Sequence, residues 1–503
     1  MTKAETHKVR TSALGDETPI RFVFRGQIRE LTSVDPTQTV LRWLREDELA
    51  MGTKEGCAEG DCGACTVVLG ELVDGGMRYR AVNACIQFLP TLHGKQLITV
   101  EDLKAHDGRL HPAQQALVDT SGSQCGFCTP GFVMSLYAMY RTEGKPDLQR
   151  TNDVLAGNLC RCTGYGPIID AASKMYDLPK DDHFAAEEAK VKALLESLQD
   201  DATVVTGLGD RTYYAPATVG ALAEILEANP EATIVAGATD VGLWVTKMHK
   251  ELKPVVYLGR VRDLQQVRET DAGLEIGAGV SYTDAWKEIA KLYPDFGELI
   301  RRIGSTQVRN AGTIGGNVAN GSPIGDSPPA LIAAGATLVL RKGMTQREMP
   351  LEDFFIEYGK QDRAPGEFVE MIRLPKPQAG AKFRSYKISK RFDQDITASL
   401  GVFNAQIKDG KVEDIRICYG GMAGTPARAK HAEAALLGKA WTEENVRDAM
   451  AAMDRDYSPM TDMRASASYR QTVAKNLLYK FFVETTDTQA ETRLVGDRSL
   501  AHV

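Results

Sequence analysis

The sequence predicts a multidomain α+β protein, and three observations lead to that fold class. The chain has 503 residues, about three times the length of an ordinary domain of about 150 residues. Eight of its nine cysteines lie between Cys57 and Cys162, in two sets of four. After that region, short strand-like runs alternate with small-residue turns and with Ala- and Leu-rich helical stretches. We therefore expect small cysteine-rich domains followed by larger α+β domains.

The composition fits a globular chain and argues against two kinds of partner. Hydrophobic residues make up 43% of the chain and charged residues 25%, which is enough apolar surface for several cores. The net charge is −7 and no long basic run stands out, so we expect no nucleic acid partner. The longest nearly apolar stretch, residues 330–340, is shorter than the roughly 18 residues that span a bilayer. The first residues lack a signal-peptide core, so we expect a cytoplasmic protein without a membrane contact.

The first cysteine set has the spacing C-x4-C-x2-C at Cys57, Cys62 and Cys65, with Cys85 further on. This spacing is typical of plant-type [2Fe–2S] domains. In a reducing compartment, clustered thiols favour metal or redox chemistry over disulfides. A structural zinc site usually has shorter knuckles or histidine partners, so the four-residue gap suits zinc poorly.

The flanks of this set predict a small ferredoxin-like domain. Residues 20–25 and 28–31 have strand-like patterns on either side of a Gly26–Gln27 turn. Residues 40–44 have the spacing of an apolar helix face, and a further strand is predicted at 66–69, directly after the cysteine loop.

The second cysteine set consists of Cys125 and Cys128, in a C-x2-C pair, and Cys160 and Cys162, in a C-x-C pair. The segment between the pairs has helical periodicity at residues 132–140, so this domain is predicted to be helical. The spacing alone is compatible with zinc as well as with an iron–sulfur cluster.

Three stretches, GTKEGCAEGDCGACTV, SQCGFCTPGF and LAGNLCRCTGY, resemble in the same order the two-cluster N-terminal region of the molybdenum hydroxylase family. The resemblance implies that each cysteine set ligates one [2Fe–2S] cluster. It also implies that Gln124 and Cys125 face the pterin of a molybdopterin cofactor held by a partner. The implied ligands are Cys57, Cys62, Cys65 and Cys85 for one cluster, and Cys125, Cys128, Cys160 and Cys162 for the other.

Two later stretches, TIVAGATDVG and RNAGTIGGNVANGSPIGDSPPAL, are dense in small residues and, taken alone, are typical of plain turns. Neither matches the G-x-G-x-x-G fingerprint of a dinucleotide-binding fold. Both resemble the FAD-binding stretches of the same family. The resemblance implies FAD contacts from Ile234, Val235, Ala236, Gly237, Ala238, Thr239, Asp240, Val241, Ile303, Thr313, Ile314, Gly315, Gly316, Asn317, Asp326, Val369 and Lys387.

Two features near the expected flavin follow from the same resemblance. Many relatives place an aromatic residue against the flavin where this chain has Ile303, so a stacking contact is expected to be lost. A charged loop follows Lys387, and in the family this loop governs access of the electron acceptor. Arg391 and Asp393 are candidates for that role, or are simply solvated loop charges.

The predicted domains follow from these motifs. They are a ferredoxin-like β-grasp [2Fe–2S] domain (20–105), a helical-bundle [2Fe–2S] domain (106–180), a linker with a surface helix (181–203), an α+β FAD-binding domain of the molybdenum hydroxylase flavoprotein type (204–376), a C-terminal α+β domain (377–485) and a flexible tail (486–503). Cys418, in the C-terminal domain, is predicted to be a buried small apolar residue.

The resemblance is nearest to the iron–sulfur/FAD subunit of two-subunit bacterial members that hydroxylate purines. It implies electron transfer from hypoxanthine or xanthine hydroxylation through both clusters to FAD and then to NAD+, in purine catabolism. It also implies a large molybdopterin-binding partner subunit, a heterotetramer of two small and two large subunits, and no catalytic residue in this chain. Three alternatives stay open: the equivalent subunit of an aldehyde or N-heterocycle hydroxylase, a free-standing NADH oxidoreductase, and a scaffold with structural zinc.

Overall fold

The computed structural model describes residues 16–180, 182–487 and 492. These residues divide into two compact units. The first comprises the chain up to Arg262 together with Gly304–Gly312, and the second comprises Asp263–Ile303 and the chain from Thr313 onward. Most of the predicted tail 486–503 lies outside the described residues. None of the helices in the described part is long and apolar enough to cross a membrane.

The first unit begins with a five-stranded mixed sheet. Its first strand pairs parallel with Gln96–Ile98 and antiparallel with its hairpin partner, which is the β-grasp arrangement expected from residues 20–31. A short helix, Val40–Arg42, continues into a π-helical turn that packs Trp43 edge-on against Phe22 and Phe24. The strand order is Gln27–Leu31, Ile20–Phe24, Gln96–Ile98, Thr66–Val73 and Gly76–Asn83.

Four helices follow the sheet and form the second part of the first unit. Their shared core includes the fully buried Phe132 and Leu136. The two helices that begin after the cysteine pairs each have a proline in the first turn. Proline has no N–H, but an N–H at this position would have no intrahelical partner in any case. The helices are Pro112–Asp119, Thr129–Thr142, Leu148–Leu155 and Gly166–Lys174.

The helix His183–Glu196 lies in the segment that the sequence predicts to be a linker with a surface helix. Its apolar stripe is buried, because Val191, Leu195 and the following Leu198 pack with Val23 of the first strand. Val23 points to the side of the sheet opposite Phe22 and Phe24, so this side also needs an apolar cover. The opposite face of the helix is exposed, as in a surface helix that packs its apolar stripe inward.

A four-stranded sheet completes the first unit. Tyr213, Val235 and Val255 from this sheet belong to the same apolar core as Phe22 and Trp43 of the first sheet. The region predicted as one FAD-binding domain, 204–376, is therefore divided between the two units. The strand order is Val204–Leu208, Arg211–Ala215, Val255–Tyr257 and Thr233–Val235, and the helices are Val219–Ala228, Val241–Thr246 and Thr306–Ala311.

The second unit begins with a five-stranded antiparallel sheet. Every residue of its helix Ser327–Ala334 is buried, which explains the nearly apolar run seen in the sequence. The strand order is Val267–Glu269, Gly273–Gly277, Phe368–Pro375, Thr337–Lys342 and Thr345–Pro350. The other helices are Tyr282–Leu292, Pro294–Arg301 and Ile314–Asn320, and a small hairpin pairs Phe355–Glu357 with Lys360–Gln361.

The C-terminal part of the second unit is a four-stranded antiparallel sheet covered by helices. Phe403 of the sheet stacks on Phe481 of the last helix, with 5.0 Å between ring centroids. Cys418 is fully buried, so the prediction of a small core residue is confirmed. The strands are Lys382–Ile388, Ser399–Lys408, Lys411–Gly420 and Ala427–Arg428, and the helices are Lys430–Leu436, Glu443–Ala452 and Ala467–Thr486.

Arg470 is a buried cation that ties the last helix to this sheet. Only 1% of the residue is exposed. Its guanidinium donates to the carbonyl oxygens of Ala398 and Gly421 and lies 2.8 Å from a carboxylate oxygen of Asp462. A buried charge with several acceptors stabilises a structure as long as every partner is present.

We predict that Arg470→Met lowers the free energy of unfolding by about 3 kcal/mol, because the two buried carbonyl groups lose their donor. Urea unfolding followed by circular dichroism measures this change. Lys475→Met, on the same helix, is the matched control: its ion pair with Asp454 is at the surface and should contribute less than about 1 kcal/mol. Equal losses in the two variants would contradict the prediction.

Candidate iron–sulfur and flavin sites

The first cysteine set is brought together by one loop and one strand end. Cys57, Cys62 and Cys65 precede the strand Thr66–Val73, and Cys85 follows the neighbouring strand by two residues. The thiol of Cys57 lies within hydrogen-bonding reach of the thiols of Cys62 and Cys85, and the thiol of Cys65 within reach of that of Cys85. The four predicted ligands therefore form one cluster of thiols.

Backbone N–H groups point at these sulfurs. The N–H groups of Glu59 and Cys62 lie 3.4 and 3.3 Å from the Cys57 sulfur. Hydrogen bonds from the Cys62 and Cys85 thiols and from these amides lower the pKa of Cys57. The Cys85 contact lowers the pKa of Cys65 although burial opposes it. Such donors favour the thiolate, which is the form that binds a metal.

The cysteine loop requires glycine at two positions. Gly63 has a positive φ of 69°, and a Cβ atom there would lie 2.0 Å from the carbonyl oxygen of Gly157. A Cβ atom at Gly56 would lie 2.7 Å from the Cys62 sulfur. A larger residue at Gly63 would clash with the main chain at Gly157, and one at Gly56 would clash with the candidate ligand Cys62.

The second cysteine set lies where two helices begin. Cys125 and Cys128 precede the helix Thr129–Thr142, and Cys160 and Cys162 precede the helix Gly166–Lys174. The thiols of Cys125 and Cys162 are within hydrogen-bonding reach, and so are those of Cys128 and Cys160.

The environment of the second set shifts the pKa values of its thiols in opposite directions. Burial opposes ionisation of the Cys160 thiol, but hydrogen bonds from the Thr163 hydroxyl and the Cys162 N–H lower its pKa to about 7. The Thr163 hydroxyl lies 3.3 Å from the Cys160 sulfur, and the Cys162 amide nitrogen 3.4 Å. Burial raises the pKa of Cys128 to about 12.

The thiols of each set contact one another in different ways. In the first set Cys57 contacts Cys62 and Cys85, and Cys85 also contacts Cys65, whereas the second set forms two pairs. In the described part of the chain, no group of three or more His, Cys, Asp and Glu side chains is placed to hold a metal ion by itself. Four cysteines in contact, with N–H donors on the sulfurs, fit the chemistry of a [2Fe–2S] cluster, in which two irons share four thiolates.

A buried polar network joins the loops of the two sets. The side-chain amide of Asn158 donates to the Gly63 carbonyl at 3.1 Å, and the Leu159 N–H donates to the Cys62 carbonyl at 3.0 Å. Gln307 donates to the Asn158 side-chain oxygen at 3.2 Å and to the Ser135 hydroxyl at 3.1 Å. Sequence analysis missed Asn158 and Gln307, since a buried amide has no spacing signal.

The two sets differ in exposure. Cys65 and Cys85 of the first set are buried. Cys125 and Cys162 of the second set are exposed, as is Gln124. Phe127, between the two cysteines of the C-x2-C pair, is 47% exposed. The second loop therefore presents both sulfur and an aromatic ring at the surface of the first unit.

The helix that follows the first predicted flavin stretch, residues 234–241, contacts the loop of the first cysteine set. Within the stretch, a Cβ atom at Gly237 would lie 1.8 Å from the Ala311 carbonyl, so two parts of the main chain pass very close there. At the end of the helix Val241–Thr246, the Thr246 hydroxyl donates to the Ala58 carbonyl at 2.7 Å. Ala58 is the residue after Cys57, so only a few bonds separate Thr246 from a candidate ligand.

The second predicted flavin stretch lies in the second unit and opens the helix Ile314–Asn320. Thr313 caps this helix, since its hydroxyl accepts from the Gly316 N–H at 3.0 Å. A Cβ atom at Gly315 would lie 2.4 Å from Ala278, and the Asn317 side chain accepts from the Ser327 hydroxyl at 2.5 Å. Two glycines after Ile314 leave the main chain of this helix start without side chains at those positions, which fits a phosphate group of FAD.

The remaining predicted FAD contacts have partners of their own in the second unit. Lys387 and Asp326 form a buried ion pair at 2.7 Å, and Asp326 also accepts from the Thr397 hydroxyl. Val369 is buried in the apolar core, and Ile303 packs against that core while partly exposed. The structure thus gives Asp326 and Lys387 a structural role at the base of the loop between Lys387 and Thr397.

The charged loop that follows Lys387 contacts Arg302. The Arg302 guanidinium lies 4.2 Å from the centre of the Phe392 ring and donates to the Phe392 carbonyl at 3.3 Å. Arg391 is exposed and pairs with Asp395 at 3.6 Å, and Asp393 is half-buried. Sequence analysis missed Arg302, which is adjacent to the predicted Ile303.

Four family models match the chain in order. Residues 23–88 match the 2Fe-2S iron-sulfur cluster binding domain, and residues 99–173 match a [2Fe-2S] binding domain. Residues 205–377 match the FAD binding domain in molybdopterin dehydrogenase, and residues 384–485 match the CO dehydrogenase flavoprotein C-terminal domain. The predicted multidomain α+β fold class is confirmed.

Individual proteins agree with these models. A xanthine dehydrogenase of Emericella nidulans is 33% identical over 92% of this chain and 38% of its own length. Aldehyde oxidase 1 of Bos taurus is 28% identical over 95% of this chain and 40% of its own length. This chain therefore spans about two fifths of the length of these relatives.

A solved structure of carbon monoxide dehydrogenase from Hydrogenophaga pseudoflava resembles part of the chain. The match has a TM-score of 0.51 and 30% identity, and it covers 53% of this chain and 94% of the other. Fold and sites together define an electron-transfer protein with two [2Fe–2S] domains and an FAD-binding domain. The chain belongs to the molybdenum hydroxylase family, as the resemblance of its cysteine motifs predicts.

We predict that Gly131→Ala destabilises the contact between the two cysteine loops. A Cβ atom at Gly131 would lie 2.2 Å from the Gly63 carbonyl oxygen, so the free energy of unfolding should fall by about 1–3 kcal/mol. Thermal unfolding and the iron content per chain measure the effect. Gly144→Ala is the matched control, because no atom lies within 4 Å of a Cβ there. A Gly131 variant as stable as the control would refute the prediction.

Proposed function

We propose that this chain is the iron–sulfur/FAD subunit of a xanthine dehydrogenase. It would receive electrons from purine hydroxylation on a molybdopterin-binding partner subunit and deliver them to NAD+. The observation that carries the proposal is the arrangement of the first unit. A cysteine loop with two exposed thiols is hydrogen-bonded to a loop whose set has two buried thiols, and the helix after a flavin-type stretch donates to the latter loop.

This arrangement suits stepwise electron transfer. A [2Fe–2S] cluster passes single electrons, nicotinamide takes a pair as hydride, and a flavin exchanges either. The short connection from Cys160 through the Leu159 N–H to the Cys62 carbonyl supports transfer between the two cysteine sets. The contact between Thr246 and Ala58 supports transfer onward to the flavin. This chain would need no general base or nucleophile of its own.

The ligand assignment is part of the proposal. Cys57, Cys62, Cys65 and Cys85 would hold one cluster, and Cys125, Cys128, Cys160 and Cys162 the other. The contacting thiols and the N–H donors support this assignment. For FAD, we propose the main chain at 234–241 and 313–317. Because Asp326 and Lys387 pair with each other, we propose that they shape the flavin-contacting surface of the second unit.

The exposed loop supports a partner subunit. Gln124, Cys125 and Phe127 present a polar group, sulfur and an aromatic ring to solvent, which suits a protein interface. We propose that this partner is a large chain that holds the molybdopterin site. We propose an assembly of two small and two large subunits. We also propose that it lies in the cytoplasm, where thiols stay reduced.

The substrate and the acceptor rest on the relatives. A xanthine dehydrogenase is among them, and so is an aldehyde oxidase, which makes an aldehyde or N-heterocycle hydroxylase the second candidate. A free-standing NADH oxidoreductase is the third candidate, and it would be active without any partner.

The deciding experiment uses the protein purified with its natural partners. We expect about four iron atoms and one flavin per chain, with molybdenum in a second subunit. Xanthine should bleach the visible spectrum and NAD+ should restore it. Bleaching by an aldehyde but not by xanthine would favour the second candidate, and NADH oxidation without molybdenum the third. A colourless protein with bound zinc would refute the proposal.

We predict that Cys65→Ala lowers the iron content to about half, because one cluster loses a ligand. Cys418→Ala should keep all of the iron, since Cys418 is equally buried but lies in the core of the second unit. Cys125→Ala is a second test at an exposed position, where loss of a core contact cannot explain loss of iron. Iron and visible absorbance per chain give the result. Full iron in both ligand variants would contradict the assignment.

A further inference from the structure

The side chain of Asn83 points at the sulfur of Cys65. Asn83 is the last residue of the strand Gly76–Asn83 and pairs with Thr66, the residue after Cys65. Its amide nitrogen lies 3.9 Å from the Cys65 sulfur, a length suited to an N–H···S hydrogen bond because sulfur is larger than oxygen. The pairing of the two strands thus fixes the donor beside this candidate ligand.

Asn83 and Cys65 are both buried, and the side-chain oxygen of Asn83 lacks a hydrogen-bond partner among the described residues. Asn83 is 3% exposed and Cys65 is 2% exposed. Within the part of the chain that the structure describes, no hydrogen-bond partner reaches the side-chain oxygen of Asn83. An unpaired buried carbonyl costs free energy, and an apolar side chain of similar size would avoid that cost. Packing alone therefore does not account for asparagine here, whereas donation to sulfur does.

We propose that Asn83 raises the reduction potential of the first cluster through its hydrogen bond to Cys65. The inference rests on the proposed function, in which Cys65 is a cluster ligand. Reduction adds negative charge that is shared with the ligand sulfurs, so an N–H dipole aimed at sulfur stabilises the reduced state more than the oxidised state. The buried surroundings strengthen this effect, because little solvent screens it.

The position of the first cluster makes its potential important. Its loop contacts both the loop of the second cysteine set and the helix that follows the flavin-type stretch. A cluster between donor and acceptor delays electrons if its potential is too low to accept them. Asn83 would keep the first cluster able to take electrons from the second.

The test replaces the donor and measures potentials in the full complex. Asn83→Leu keeps the volume and removes the N–H, and Asn83→Asp keeps the shape but offers an acceptor. We expect one cluster of the two to become about tenfold harder to reduce, a shift of about 59 mV for one electron. The potential of the other cluster should not change. Redox titration followed by electron paramagnetic resonance measures both clusters.

Asn158→Leu is the matched control. Asn158 is also buried and also lies at the cysteine loops, but its amide donates to the Gly63 carbonyl and the Thr66 hydroxyl instead of to sulfur. We expect its variant to leave both potentials unchanged. An equal shift in the Asn158 variant would reduce the Asn83 effect to general packing and overturn the inference.

Iron content and reduction potentials together separate the role of Asn83 from the proposed function of the chain. If both Asn83 variants keep about four irons per chain and both potentials equal those of the unaltered protein, only the role of Asn83 is refuted. If the unaltered protein itself contains no iron, the proposed function is refuted first.

Discussion

Four close-packed cysteine sulfurs are the constraint around which the first unit is built. As cluster ligands they would be four thiolates that repel each other, so the chain would have to supply positive charge or N–H dipoles at short range. The loop from Cys57 to Cys65 does so with main-chain amides, and this requires a tightly curved backbone. That curvature in turn requires glycine, most clearly at Gly63, where the neighbouring loop leaves no room for a side chain.

The same constraint explains why the first unit reaches beyond the two cysteine domains. The sheet that carries Cys85 shares one apolar core with the sheet that carries Val235, at the start of the first flavin stretch. A short segment, Gly304–Gly312, returns to this unit and brings Gln307 to the network between the cysteine loops. A shared core and a buried network hold the contacting elements at fixed distances, which electron transfer requires.

Sequence reasoning was strong where the chemistry has a fixed spacing. The C-x4-C-x2-C pattern, the strand alternation near Ile20 and the helical period after Pro130 each predicted an element that the structure contains. The sequence predicted less where the burial or pairing of a residue depends on a contact with a residue far away in the chain. The burial of Leu195 depends on Val23, and the pairing of Lys387 depends on Asp326, and neither leaves a local pattern. The partner of the apolar stripe in His183–Glu196 could not be predicted for this reason.

Because the two cysteine sets differ in exposure, reagents in solution reach the second set more easily than the buried cysteines of the first. Oxidants and chelators reach the sulfurs of Cys125 and Cys162 before those of Cys65 and Cys85, because reactivity of thiolates follows their accessibility. Oxidation of the first unit would therefore begin at the second cysteine set and reach the buried cysteines of the first set later.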